Sequence, residues 1–237
     1  MTLAADQQSG VWIHATAARL KRLYTALVYD VMDEMGMPNQ CLDLAIKPLD
    51  RRMRVAGPAF TVVGGPDPRT DAEYRPVPKV ANFGIFEAMY DGCVPVVNAS
   101  GERQCGQWGE LMSTAAKARG ATGVVLDGGI RDGNLLFEIK EWPVFARYLS
   151  PVESRLRYRV WDIEVPIAIS GTLTSQVRIN PGDWIFGDMD GVVVVPTDAL
   201  EEVLRRAEEA KVIEDKVRAE VSQGAAIQDV YKKYGRL

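Results

Sequence analysis

The segments Trp108-Gly-Glu-Leu-Met112 and Asp127-Gly-Gly-Ile-Arg-Asp132 are the most informative stretches of this chain. Glu110 opens a run of good helix-forming residues that stops at Gly120, a residue suited to ending a helix. Roughly ten helical residues rise about 15 Å, and a buried strand of about six residues after Gly120 returns close to 20 Å. The chain therefore comes back to the start of its own helix, where the two segments meet.

The place where the two segments are expected to meet has the groups that an anion-binding site needs. The free amides of residues 109–112 and the positive end of the helix dipole attract negative charge. Arg131 can grip a carboxylate through two parallel hydrogen bonds, and Asp132 offers oxygen to a hard cation. We expect Gly128 and Gly129 to let the backbone turn tightly and come near a ligand.

The supply of residue types excludes several other chemistries. His14 is the only histidine, so a histidine-rich zinc site is excluded, and a catalytic triad has a single candidate far in sequence from any nucleophile-elbow pattern. Neither GxGxxG nor a Walker A sequence occurs, so the sequence contains neither of these motifs for binding dinucleotides or nucleoside triphosphates. Four lysines in charged helical contexts argue against a Schiff base: Lys117, Lys140, Lys211 and Lys216. Metal-assisted carbonyl chemistry with oxygen ligands remains.

Composition predicts one globular domain. The 237 residues are 47% hydrophobic, enough for one substantial core, and no repeat or low-complexity linker divides residues 1–237. Mixed helices and strands without strict alternation predict a layered α/β fold. Cys41, Cys93 and Cys105 have no CxxC spacing, and polar residues interrupt the N-terminal segment, so a reduced, cytoplasmic location is expected. The net charge of −4, with both signs interspersed, gives no case for a nucleic-acid or membrane partner.

The local patterns predict the order of elements. Residues 11–36 contain two helices with a break at Thr25 and an end at Gly36, and Thr197 is expected to cap a long amphipathic helix that runs to about Val221. Further helices are predicted at 79–90 and 135–140, and a proline-rich loop at 66–78. Strands are predicted at 54–63, 93–98, 122–127, 144–147, 165–169, 175–179, 184–187 and 192–195.

With these residues in place, the chain resembles the RraA-like family, whose enzymatic members are class II pyruvate aldolases such as 4-hydroxy-4-methyl-2-oxoglutarate aldolase. An acidic residue, then twenty residues, then Arg131-Asp132 is similar to the family's site motif. The likeness covers a family core at about residues 20–200, and residues 197–237 form a C-terminal helix and tail. It rests further on segments 25–36, 55–62, 143–147, 181–188 and 190–196.

The resemblance implies a metal-dependent lyase. It implies that Arg131 and the amides of residues 109–112, those of Leu111 and Met112 above all, hold the carboxylate of a 2-oxo acid. Mg²⁺ or Mn²⁺ would bind through Asp132, and Glu110 would act as acid or base. The reaction would be retro-aldol cleavage of a 4-hydroxy-2-oxo acid to pyruvate, with oxaloacetate decarboxylation as a side activity. The implied fold is a layered α/β/α swivelling domain, assembled into a homotrimer or hexamer, in which Glu209 of a neighbouring subunit approaches the metal.

Other readings of the same residues stay open. Arg131 and Asp132 could form only a local ion pair, and Glu110 only a partner of the helix dipole. The family's aldolases often have Asp where this chain has Glu110. The loop at 67–79 of this chain is also longer than the family's usual loop. The family also includes a regulator that binds a ribonuclease, and a different 2-oxo acid decarboxylase is a third reading. Structural roles are expected for Trp108, Asp127, Asp188 and Asp190.

The C-terminal helix gives one argument about assembly. Its apolar positions exceed what one narrow core stripe requires, which favours a subunit interface, although covering its own domain would explain them as well. These positions are Val203, Leu204, Ala207, Ala210 and Val217.

Overall fold

The computed structural model describes residues 10–69, residue 73 and residues 84–236. The helices are α1 (Gly10–Lys21), α2 (Thr25–Glu34), α3 (Gly84–Glu87), α4 (Glu110–Ala118), α5 (Gly133–Leu136), α6 (Leu200–Ser222) and α7 (Ile227–Tyr234). The strands are β1 (Lys47–Pro48), β2 (Val55–Pro66), β3 (Val94–Asn98), β4 (Gly106–Trp108), β5 (Val124–Asp127), β6 (Gly129–Ile130), β7 (Val144–Ala146), β8 (Tyr148–Leu149), β9 (Tyr158–Ile163), β10 (Ile167–Ile169), β11 (Val177–Ile179), β12 (Trp184–Gly187) and β13 (Val192–Val195).

The centre of the fold is an eight-stranded mixed sheet. Its order is β1-β7-β5-β3-β2-β12-β13, and β9 pairs with β2. The four strands β7, β5, β3 and β2 run parallel, whereas β1, β9, β12 and β13 pair with antiparallel neighbours. Parallel strands are buried on both faces, which explains the runs of Val in β3 and β5.

A second, smaller sheet stands at the carboxyl ends of the parallel strands. Each of its three strands follows a strand of the main sheet: β4 follows β3, β6 follows β5, and β8 follows β7. The three run parallel in the order β4-β6-β8. Since ligands in open α/β sheets bind beyond the carboxyl ends of the strands, this small sheet lies where a site is expected.

Three apolar clusters hold the layers together. One joins the sheet to α3, α4 and α5, and a second joins β12 and β13 to α1, α2 and α6. The third packs the opposite side chains of the same strands against the β10–β11 hairpin. Helices and strands therefore form layers around one sheet, and the predicted layered α/β fold is confirmed.

Most predicted elements are present, with corrections at their ends. The two N-terminal helices meet around Thr25, and Gly36 has a φ of +80° as a helix-ending glycine requires. The predicted cap at Thr197 is wrong, because α6 begins after Ala199 and the Thr197 hydroxyl donates to the Gly182 carbonyl at 2.6 Å. The predicted helix at 135–140 is only the short α5. The elements that were not predicted are β1, β4, β6, β8, β9 and α7. Residues 70–72 and 74–83, including part of the predicted loop and helix, lie outside the described residues.

The apolar face of α6 covers its own domain. Val203, Leu204 and Ala207 are fully buried within the single chain, and Ala210 and Val217 are 5% and 7% exposed. Four of these residues belong to the cluster shared with α1, α2, β12 and β13. Of the two explanations left open for these positions, cover for their own domain is the one that the structure supports, because one chain already removes them from water.

Asp188 has the structural role that its turn motif predicts. It follows β12 directly, and its carboxylate accepts hydrogen bonds from the Thr25 amide at 2.9 Å and the Thr25 hydroxyl at 2.6 Å. It also accepts one from the Asp190 amide at 3.0 Å inside the β12–β13 turn. One buried carboxylate therefore closes the turn and satisfies the first amide of α2.

Candidate active site

The two segments singled out in the sequence meet at the N-terminus of α4. Gly109 precedes this helix and lies against β6 and the residues that follow it. A Cβ atom on Gly109 would lie 2.6 Å from Oδ2 of Asp132 and 3.0 Å from Cγ of Arg131. A Cβ on Gly106 would lie 2.8 Å from Cβ of Arg131. These two glycines are needed because the chain carrying Arg131 and Asp132 passes directly over them.

Backbone pairing fixes the chain at Arg131 and Asp132. The Arg131 amide donates to the Trp108 carbonyl at 2.9 Å, which extends the β4–β6 pairing. Asp132 follows with φ 60° and ψ 35°, a left-handed conformation that Asp adopts more readily than most residues. Its carbonyl then accepts the Leu135 amide at 2.9 Å and starts α5. The sharp change of direction leaves both side chains beside α4.

The Asp132 side chain occupies part of the anion site expected at the start of α4. Its Oδ2 accepts from the Glu110 amide, and its Oδ1 accepts from Nε of Arg131, both at 3.3 Å. Both bonds are long, and the two side chains are 33% and 36% exposed, so this ion pair is a weak constraint. Within the described residues, the amides of Leu111 and Met112 and the terminal nitrogens of Arg131 make no hydrogen bond. These donors remain available to a ligand.

Glu110 lies at the edge of this group. It is half-buried, and its Oε1 accepts from the Thr114 hydroxyl one helical turn later at 2.7 Å. This contact holds one carboxylate oxygen, and Oε2 makes no hydrogen bond to any described residue. Leu111 is 79% exposed, whereas Met112 packs against the core beneath α4. The chain thus brings together Gly109, Glu110, Leu111, Met112, Arg131 and Asp132, as predicted.

The glycines of the Gly128-Gly129 turn have a different role from the one predicted. A Cβ on Gly128 would lie 2.6 Å from Oε1 of Gln107, and one on Gly129 would run into the ring of Tyr148. Neither glycine has a positive φ. Protein side chains, rather than a ligand, therefore fill the space that these two glycines leave.

Asp127 orients the turn, as expected. Its carboxylate pairs with Arg147, whose side chain is 5% exposed and also reaches Asp43 at 3.1 Å. Burial raises the pKa of Asp127 above its usual value, and the Arg147 guanidinium opposes that shift. The Arg147 amide donates to the Gly128 carbonyl at 2.9 Å. Asp127 is thus paired with Arg147, between β7 and β8, rather than directed at the site.

Trp108 is a packing residue. It is 1% exposed, its Nε1 donates to the Ser113 hydroxyl at 2.9 Å, and its ring meets Phe86 edge-on with centroids 6.0 Å apart. The expectation that Trp108 has no chemical role is consistent with these contacts.

The metal-ligand expectations concern Asp132 and Glu209. Among the described residues, no group of three or more His, Cys, Asp or Glu side chains is placed to hold a metal. Asp132 is a half-exposed carboxylate with only long hydrogen bonds, which fits a cation such as Mg²⁺ that keeps several water ligands and takes one or two protein carboxylates. Glu209 lies on α6, where Arg205 donates to both its oxygens at 2.9 and 3.0 Å. A single chain therefore offers one carboxylate for the cation.

Sequence reasoning assigned no role to Gln107, Glu102, Tyr148 or Arg147, which surround the turn. Gln107 and Glu102 are buried polar residues, at 3% and 7% exposure. No sequence motif marks these residues, and a glutamine between a glycine and a tryptophan has no specific meaning in the sequence. The contacts of Gln107 become visible only in the structure, where β4 pairs with β6.

Fold and site together define a class: a layered α/β protein in which a helix N-terminus meets an Arg-Asp pair beyond the strand ends. The sequence pattern of the RraA-like family (Aldolase/RraA) matches residues 25–194. The chain belongs to this family, and the predicted fold of the RraA-like type is confirmed.

Relatives with more specific names are similar at moderate identity. A protein of Halalkalibacterium halodurans named "Putative 4-hydroxy-4-methyl-2-oxoglutarate aldolase" is 32% identical over 203 residues, 84% of this chain and 85% of that protein. Protein DlpA of Legionella pneumophila is 27% identical over 210 residues, and this chain spans 32% of its length. The crystal structure of Streptomyces coelicolor RraAS2, described as an unusual member of the RNase ES inhibitor RraA protein family, has a TM-score of 0.72 at 26% identity, over 86% of this chain and 97% of that one.

No helix among the described residues has an apolar stretch long enough to cross a bilayer. The three cysteines are free thiols, with Cys93 and Cys105 buried and Cys41 partly buried.

Proposed function

We propose that the protein is a divalent-metal-dependent lyase that cleaves a 4-hydroxy-2-oxo acid by a retro-aldol reaction and releases pyruvate. One observation carries this proposal: Arg131 and Asp132 are held against the start of α4, where the amides of Leu111 and Met112 have no hydrogen-bond partner among the residues that the structure describes. The relative from Halalkalibacterium halodurans supports the substrate class. Oxaloacetate has the same 2-oxo acid head, so its decarboxylation is proposed as a side activity.

Substrate binding follows from the free donors. The Arg131 side chain passes beside Gly109 at the start of α4, so its planar fork and the amides of Leu111 and Met112 would share the substrate carboxylate, and the helix dipole would add to their attraction for it. The Asp132 carboxylate lies at the edge of this site and accepts a hydrogen bond from the Glu110 amide. It leaves the next two amides for the 2-oxo acid.

The chemistry needs a group that moves protons and a group that stabilises negative charge. Cleavage removes the proton of the C4 hydroxyl, breaks the C3–C4 bond, and returns a proton to C3 of the pyruvate enolate. Glu110, through its uncommitted Oε2 or a water, is the proposed proton carrier. A divalent cation bound at Asp132, Mg²⁺ or Mn²⁺, would supply Lewis-acid stabilisation of the enolate. Arg131 fixes the orientation of the carboxylate next to the reacting carbons.

The deciding experiment is an assay of pyruvate release. The purified protein is incubated with Mg²⁺ and a panel of 4-hydroxy-2-oxo acids and with oxaloacetate. Release from a 4-hydroxy-2-oxo acid supports the lyase, whereas release from oxaloacetate alone indicates a decarboxylase. Absence of release from every compound contradicts both.

Metal removal gives the first prediction. Among the described residues no group of three or more ligands surrounds Asp132, so a cation held there with several water ligands should be lost readily to a chelator. We expect EDTA to abolish pyruvate release, and Mg²⁺ or Mn²⁺ in excess to restore it. Full activity after exhaustive EDTA treatment would contradict metal dependence.

Assembly gives the second prediction. We propose a homotrimer or hexamer in which Glu209 of one chain completes the cation site of its neighbour. An inactive Asp132→Ala chain mixed and reassembled with an inactive Glu209→Ala chain should regain partial activity, because some interfaces combine two intact halves. Loss of the exposed Arg205–Glu209 pair should change the stability little.

The control for this experiment is a mixture of two separately tagged Asp132→Ala preparations, which should stay inactive. Recovery is measured as pyruvate release after subunit exchange has been demonstrated with the tags. If exchanged mixtures show no recovery, each site lies within one chain or Glu209 is the wrong residue.

A second candidate function is the binding of a protein partner such as a ribonuclease. Three exposed leucines lie on the segments that carry the site: Leu111 at 79%, Leu135 at 48% and Leu149 at 59% exposure. Exposed apolar side chains beside a site favour a protein interface. RraAS2, named for the RNase ES inhibitor RraA family, is similar in fold. A regulator would bind and inhibit the nuclease while releasing no pyruvate from the panel.

A further inference from the structure

A buried chain of hydrogen bonds leads from Glu102 to the turn that carries Arg131 and Asp132. Oε1 of Gln107 accepts from the Gly129 amide at 2.5 Å, and Nε2 of Gln107 donates to the Glu102 carboxylate. A backbone amide can only donate, and a carboxylate that is ionised can only accept. The two partners therefore require one orientation of the Gln107 side chain, with its oxygen on Gly129 and its nitrogen on Glu102.

Glu102 is held from its other side. Its carboxylate is buried and accepts from the Gln104 amide at 2.7 Å and from Sγ of Cys105 at 3.1 Å. Burial and the neighbouring Glu102 raise the pKa of the Cys105 thiol to about 12, so this thiol is protonated and can donate at neutral pH. Donors thus surround the carboxylate, and Gln107 supplies the one that faces the turn.

The turn itself is shaped around this chain. Oε1 of Gln107 takes the space that a side chain at Gly128 would need, and the Tyr148 ring takes that of Gly129. The Tyr148 hydroxyl donates to the Cys105 carbonyl at 3.2 Å, which ties the ring to the loop that contains Glu102. Displacement of Gln107 would therefore release the turn two residues before Arg131.

We propose that Gln107 is a positioning residue, oriented by Glu102, that fixes the Gly129 amide and so places Arg131 and Asp132 against the start of α4. This inference rests on the proposed function, since it gives those two residues the substrate and the cation. Gln107 itself touches neither. Its effect is exerted through two buried hydrogen bonds in series.

Exchanging the side chains of Glu102 and Gln107, first at one position and then at both, tests the proposal. Gln107→Glu keeps an acceptor for Gly129 but sets two carboxylates against each other, so kcat/KM for pyruvate release should fall by about tenfold or more, with kcat the main term. The double variant Glu102→Gln/Gln107→Glu again places a donor against an acceptor and should recover most of this loss. Gln and Glu have nearly the same shape, so a residue that only fills space would give no such recovery. Gln104→Ala is the matched control, because its side chain is exposed on the same loop, and its activity should be unchanged.

Hydrogen exchange separates this inference from the proposed function. Amide exchange at Gly129 should be faster in Gln107→Leu than in the unaltered protein, and unchanged in Gln104→Ala. Gln107→Ala, which also removes the acceptor for Gly129, replaces Gln107→Leu if the latter does not fold. If the unaltered protein releases no pyruvate, the proposed function fails, and exchange at Gly129 alone decides the role of Gln107. The inference is overturned if exchange at Gly129 is as slow without Gln107 as with it, or if the double variant is no more active than Gln107→Glu.

Discussion

An Arg131→Lys variant is expected to release pyruvate with a kcat/KM more than about tenfold below that of the unaltered protein, a loss of about 1.4 kcal/mol or more. Lysine keeps the positive charge but loses the planar fork. The terminal nitrogens of Arg131 make no hydrogen bond within the described residues, and only Nε contacts Asp132, at 3.3 Å. The cost of the substitution should therefore appear when substrate binds, with little effect on folding.

Two measurements separate these outcomes. Steady-state kinetics give the change in kcat/KM, and denaturant unfolding gives the stability, which should stay within about 0.5 kcal/mol of the unaltered value for a surface substitution. Arg51→Lys is the matched control, because Arg51 is exposed in the loop before β2. Near-normal kinetics for Arg131→Lys would show that Arg131 serves only in a local ion pair with Asp132 and does not bind substrate.

An Asp132→Asn variant is expected to lose about a hundredfold or more in kcat/KM, since stabilisation of developing charge by a cation contributes several kcal/mol. The backbone makes this substitution informative. Asp132 has a φ of 60°, and Asn is among the few residues that tolerate this left-handed conformation. Asn keeps the shape and the turn into α5 and removes only the charge, whereas Ala would add backbone strain.

The effect should appear in activity and in cation binding together. Mn²⁺ binding, followed by its paramagnetic signal, should weaken in Asp132→Asn, while the temperature of unfolding without metal should change little. Asp198→Asn, at an exposed position before α6, is the control and should leave both unchanged. An Asp132→Asn variant that retains most of its activity would show that this carboxylate does not carry the chemistry.

The meeting of the two site segments could be predicted from the sequence because it depends on lengths and periods. A helix from Glu110 and a buried strand that ends at Asp127 must bring the chain back to the helix start, and the structure places Arg131 and Asp132 there. The same local signals gave the strands around Val94 and Val192 and the N-terminal helices. Each of these depends on neighbours within one or two turns of chain.

The sequence was insufficient where the deciding partner is distant in the chain. Apolar positions on α6 left open whether they form an interface or cover their own domain; they pack on α1 and α2, close to two hundred residues earlier, where the Arg19–Glu208 ion pair at 2.9 Å also forms. Thr197 was expected to cap α6, but its hydroxyl is used by the Gly182 carbonyl. An amphipathic pattern states which face is buried and not what buries it.

The sequence by itself determined the fold class, the family and the residues that gather at the start of α4, because local periodicity and a spaced motif carry that information. Only the tertiary structure decided how the Gly128-Gly129 turn is held. The glycines had suggested room for a ligand, and instead the room is taken by Gln107 and Tyr148. The physical reason is that a buried polar group must find its partner across the fold, and the hydrogen bond from Gly129 to Gln107 joins residues 22 positions apart through a parallel strand pairing that no local pattern specifies.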